Sequence, residues 1–163
     1  MDMKKFICLS LLVTLSLSAS GQGLDNPEWL LGNWKEIFLI EDPEATAAYA
    51  SNTQFHLQAD STLSYRMVWY VFDSQSRTIH IDIEGTWALA GNELKMTCQA
   101  ISIPEEDMPS GRQEYMDFFC SEFNQSAPLK LMQVTPDYLV YFGQDVGQYY
   151  LANRVEANAV AGE

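Results

Sequence analysis

His80, Asp82 and Glu84 stand at every second position of one short stretch, TIHIDIEGTW. An imidazole and two carboxylates on one strand face suit zinc or a similar metal, and His56 could join them from another strand. The residues between them argue against it. Ile79, Ile81 and Ile83 claim the inward face of such a strand, which turns the polar trio toward solvent. No metal site is expected there. Cys98 and Cys120 offer a second chemistry. Cys98 falls on the apolar side of ELKMTCQA, where a thiol acts as a nucleophile only beside a base or a positive charge. With His80 outward, no such partner is in view. The pair reads either as a disulfide or as two separate buried thiols, and an even count in an exported chain favours the bridge.

Other catalytic signatures are missing from the sequence. It holds no glycine-rich phosphate loop, no Cys-x-x-Cys and no Ser/His/Asp set that can be placed. Nothing singles out a carboxylate pair for glycoside hydrolysis. No catalytic residue and no cofactor are therefore assigned, and the chain is read as a binding protein rather than an enzyme. The better lead is a soft apolar set: Phe55, Tyr65, Met67, Trp69, Met96 and Tyr141. Aromatic rings and thioethers make an adaptable lining for a small apolar ligand, although the same residues could simply fill a core.

These residues sit on short stretches of period-two alternation separated by turn residues. After a short turn or helical piece at Asn26-Pro27, NWKEIFLIE (33–41) opens the series. A long connection of small residues, DPEATAAYASN (42–52), leads to TQFHLQ (53–58). LSYRMVWYVF (63–72), TIHIDIEGTW (78–87) and ELKMTCQA (93–100) follow, the last two joined by the hairpin turn AGN. The alternation then breaks. RQEYMDFFCSEF (112–123) spaces Tyr115, Met116, Phe119 and Phe123 as in a short amphipathic helix. LKLMQV (129–134), YLVYF (138–142) and QYYLANRV (148–155) complete eight strands. A tail is expected from about 156. Eight consecutive hairpin-joined strands predict an all-β fold: an up-and-down antiparallel barrel, with a short helix inserted between strands five and six.

The first twenty residues fall outside this pattern. Lys4 and Lys5 precede an apolar run of about 13 residues, and small residues follow near Ser20, the layout of a cleaved signal peptide. Cys8 lies too early for lipid attachment. Residues 21–163 would then form one secreted or periplasmic barrel domain with no stable membrane anchor after cleavage. The chain has nine Lys and Arg against 22 Asp and Glu, for a net charge of −13. Loss of Asp2, Lys4 and Lys5 would deepen that balance by one unit. Such a surface repels nucleic acid and favours solubility or a cationic partner.

Three places make the chain resemble the lipocalin-like (calycin) group, in particular the small bacterial lipocalin-like domains of unassigned role. GNW (32–34) opens the first strand as the family's Gly-x-Trp does. TPDY (135–138) sits between strands six and seven, where lipocalins often carry Thr-Asp-Tyr, here with a proline inserted. Arg154 lies late in strand eight, where the family places an arginine over the first-strand tryptophan. The resemblance covers roughly residues 29–155, and it departs from the family in having only a tail where a longer helix usually follows the last strand. It implies that Gly32, Trp34 and Arg154 are structural residues of a barrel floor, with Trp29 plugging that floor from outside. It also implies a lid over the open end near 42–52, with the 102–124 insert covering that end or docking outside. The function expected is the binding of a small apolar or amphipathic molecule inside the barrel. The alternative is an acidic protein-binding module that inhibits a cationic enzyme, such as a lysozyme-type hydrolase.

Overall fold

A computed structural model of the chain describes residues 26–40, 48–72, 76–108 and 110–156. The expected signal peptide, residue 41 of the expected first strand, residues 42–47 of the expected lid and the tail beyond 156 lie outside the described residues. A short 3-10 turn, Pro27–Leu30, leads into eight strands: β1 Gly32–Ile40, β2 Ala48–Leu57, β3 Thr62–Phe72, β4 Arg77–Ala90, β5 Glu93–Ser102, β6 Leu129–Val134, β7 Tyr138–Gly143 and β8 Gln148–Val155. One helix, α1 Arg112–Gln125, lies between β5 and β6. The strands pair in sequence order and close into a barrel, each antiparallel to its neighbours. The predicted fold class, including the position of the helix, is the one observed.

Alternation explains which side chains point inward. Leu63 and Val71 of β3 and Ile79, Ile81 and Ile83 of β4 are buried, while Arg66, Thr78, His80 and Glu84 lie on the wet face. At Glu84/Gly85 the β4–β5 register shifts. A Cβ on Gly85 would stand 1.8 Å from the Thr97 carbonyl oxygen, so only glycine lets β4 and β5 approach there.

Two differences from the sequence reading matter for the site. β2 begins at Ala48, not at 53, so the second half of the expected lid is strand. Ala48–Leu57 pairs along its whole length with Leu63–Phe72. Ladder pairing thus holds AYASN extended although it has no apolar alternation of its own. The second difference concerns the seams. β5 and β6 pair only at Glu93↔Lys130 and Leu94↔Leu129, and β1 and β8 only over Asn33–Lys35. α1 packs against β5 and fills the first gap. The Asn124 side-chain amide donates to the Cys98 carbonyl (3.0 Å) and its oxygen accepts from the Cys98 N–H (2.7 Å), standing in for a missing strand neighbour. The disulfide Cys98–Cys120 fastens the same junction.

Candidate functional site

The lower end of the barrel is filled. Trp34 is fully buried among Leu30, Phe55, Leu57, Leu63, Leu131, Val134, Leu139 and Ala152. Its indole N–H donates to the Leu30 carbonyl at 2.8 Å. Arg154, opposite Trp34 in the β1–β8 register, sets its guanidinium carbon 4.4 Å from the indole ring centre. The guanidinium also donates to the carbonyls of Leu31 (2.6 Å), Trp29 and Pro136. Gly32 is needed beside it: its φ is +122°, and a Cβ would lie 2.4 Å from Arg154 Nη1. The β6–β7 turn is tied into the same cluster. Thr135 Oγ1 accepts from the Tyr138 N–H, and the Asp137 carbonyl accepts from the Arg154 N–H. Trp29 is half-buried against this core.

One layer higher the interior is not filled. A chamber of about 350 Å³ lies above Trp34, lined by Tyr65, Met67, Met96 and Tyr141 of the sequence-derived set. Leu94, Leu129, Phe38, Tyr150 and, from α1, Phe123 complete most of its apolar wall. The inserted helix therefore neither caps the barrel nor docks wholly outside. It supplies part of the chamber wall through the gap between β5 and β6. Tyr65 packs edge-on to Phe123 at 5.5 Å, and Tyr141 stacks on Tyr150 at 5.1 Å between ring centres.

Two residues of the expected set stand apart from the chamber. Phe55 and Trp69 do point inward but do not line the chamber. Phe55 sits a layer lower, in the floor core, and stacks beneath Tyr65. Trp69 packs against a second buried cluster that holds Val71, Ile79, Ile81 and Cys98. Alternation assigns a face, whereas strand tilt and stagger set the height along the barrel.

The sequence reading missed the chamber's one deep charge. Glu36 follows Trp34 by two residues on β1 and so shares its inward face. Its carboxylate accepts a hydrogen bond from the Tyr141 hydroxyl. Burial pushes its pKa above the ordinary 4.5, and the Tyr141 bond only partly offsets that. Desolvation, together with the Glu36 charge, raises Tyr65, Tyr141 and Tyr150 above the ordinary phenol value of 10.0, so all three remain neutral at pH 7. Tyr65 is also hydrogen-bonded to the buried Thr53. Lys95 lines the chamber too, but its ammonium donates to the Asn124 (2.8 Å) and Ser126 carbonyls, at the end of α1. Asp145 at the rim accepts from the Ala127 N–H at 2.6 Å. The signal for Glu36 was present in the sequence: a carboxylate in strict alternation with Trp34 and Phe38.

The polar residues of β4 lie outside, as their alternation implies, and have separate partners. His80 Nδ1 is 2.7 Å from Asp107, whose carboxylate also accepts from the His80 N–H. Asp82 pairs with Arg66 at 2.7 Å. Glu84 accepts from the Ser64 hydroxyl at 3.1 Å. His56 shares an open outer groove with Ser64, Asp82 and Glu84. There the Ser64 hydroxyl and the Glu84 carboxylate that accepts from it form an exposed bond on the outside of the barrel. Among the described residues, no group of three or more His, Cys, Asp or Glu is placed to hold a metal ion. A scan against protein-family models and a search of the curated proteins both find no match to this chain.

Proposed function

We propose that this protein is an exported, lipocalin-like barrel that binds a small apolar or amphipathic molecule in its upper chamber without chemically altering it. The observation that carries the reading is the contrast within one interior. Below, Trp34 and its neighbours pack to closure; above, about 350 Å³ stays open between methionines and aromatic rings. That size and lining fall within the range of small-molecule pockets. Lipocalin kinship is supported by the floor contact between Trp34 and Arg154, the bend at Gly32 and the Thr135–Tyr138 turn bonded to Arg154. Export is supported by the N-terminal charge and hydropathy pattern and by the disulfide, which persists in oxidising compartments.

Titration with a neutral hydrophobic dye such as Nile red tests the reading. A saturable signal that is insensitive to salt is expected. Met96→Trp, which fills the chamber, should weaken that binding about tenfold or more, because the added ring occupies ligand volume. Absence of saturable binding in the parent protein would sink the proposal. Capture of a basic hydrolase that fades steeply with ionic strength would favour the inhibitor reading instead.

A further inference from the structure

Glu36 is poorly explained by the fold alone. The floor has no need of it, since Trp34 and Arg154 close that end without it. A carboxylate inside an apolar chamber is costly unless its lone pairs are met, and among the described residues one donor, Tyr141, meets it. Among the described residues, none around it is set against it as a cation. Tyr65 on β3, Tyr141 on β7 and Tyr150 on β8 stay uncharged, and the Lys95 ammonium on β5 is held by the carbonyls at the end of α1. Asp145, in the turn between β7 and β8, adds negative charge at the rim. The chamber is thus apolar in its walls and negative at one deep point.

We propose that the ligand is an amphipathic organic amine, its protonated nitrogen set against the Glu36 carboxylate and its hydrocarbon part against Met67, Met96 and Leu94. This rests on the chamber being the binding site. Several features of the chamber fit that class. An ammonium supplies the donors the carboxylate lacks and removes an uncompensated charge, forming a charge-assisted hydrogen bond. The phenol oxygens of Tyr65 and Tyr150 can accept from it, while the Tyr141 hydroxyl is already turned to Glu36. Ring faces of the stacked Tyr141 and Tyr150 favour a cation nearby. A fatty acid would place a second carboxylate beside the first, and a neutral alcohol would leave the charge unbalanced.

Three probes of equal length, octylamine, 1-octanol and octanoate, titrated calorimetrically into the full chain, separate the classes. Octylamine is expected to bind about tenfold or more tightly than octanol, with octanoate weakest. In Glu36→Gln the octylamine preference should vanish while octanol binding persists, which also shows that the variant is folded. Tyr141→Phe keeps the carboxylate and should keep the preference. Octylamine affinity should rise as pH climbs through the raised Glu36 pKa and the carboxylate ionises, and Glu36→Gln should lack that rise. Equal binding of octylamine and octanol, an amine preference retained in Glu36→Gln, or one lost equally in Tyr141→Phe would overturn the amine assignment and leave the chamber standing. Failure of all three probes to bind would overturn the chamber as well.

Discussion

The floor of the barrel and the chamber above it are built on the same strands, yet they treat an inward-facing charge in opposite ways. At the floor, the Arg154 guanidinium lies on the Trp34 ring and donates to the carbonyls of Leu31, Trp29 and Pro136. Its charge is met from above by a ring face and from the side by three oxygens. In the chamber, the Glu36 carboxylate faces open volume with Tyr141 as its protein donor. Both groups are on inward-facing positions two residues apart in height, because Arg154 pairs with Trp34 and Glu36 follows it. Saturated polar contacts and dense packing mark a place that holds the fold together. A charge left facing space marks the place where the proposed ligand would bind.

Truncation at the floor should have the largest effect. Trp34→Ala is expected to cost about 3–5 kcal/mol, the range for a fully buried aromatic, read as a fall in the midpoint of denaturant unfolding. A midpoint that does not move would mean that the floor is not where the barrel is held. Next comes the seam between β5 and β6, where the disulfide fastens α1 to β5. Replacing both cysteines, Cys98→Ser with Cys120→Ser, opens a 22-residue loop and should cost about 2–4 kcal/mol. Because α1 lends Phe123 to the chamber, that variant should also loosen Nile red binding. Loss of stability with unchanged binding would detach α1 from the site.

The smallest effect on stability belongs to Glu36, and its sign differs. Its folded-state pKa is raised, so the folded protein holds that proton more tightly than the unfolded chain. The contribution is therefore most favourable below the ordinary value of 4.5 and is lost as pH rises through the higher folded value. Glu36→Gln removes this dependence. Relative to that variant, the parent should lose stability as pH climbs above 4.5, measured by paired thermal melts. A parent that gains stability over the same interval would place Glu36 with the satisfied charges of the floor.

Much of the barrel was legible in the chain. The strands at Leu129–Val134 and Gln148–Val155 fall where period-two patterning sets them. The helix Arg112–Gln125 was visible in the spacing of Tyr115, Phe119 and Phe123. The start of β2 was not, because Ala48–Asn52 is extended by its partner strand and carries no apolar stripe of its own. The site was half legible. Tyr65, Met67, Met96 and Tyr141 were found through their chemistry and face, while Phe55 and Trp69 share the face and miss the chamber. Glu36 was overlooked because a search for apolar alternation passes over a carboxylate on the apolar side.

The meeting of Trp34 with a late arginine was implied by the family resemblance, whereas the sequence by itself determined the strand count and the inward face of the clearly alternating strands. Those are local consequences of a two-residue repeat and of turn chemistry. The tertiary structure alone decided the depth of each inward residue, the use of α1 as a wall and the meeting of Glu36 with Tyr141, 105 residues apart. Depth and meeting depend on strand tilt and stagger around a closed barrel, which are properties of the whole ring of strands and are not carried by any one of them.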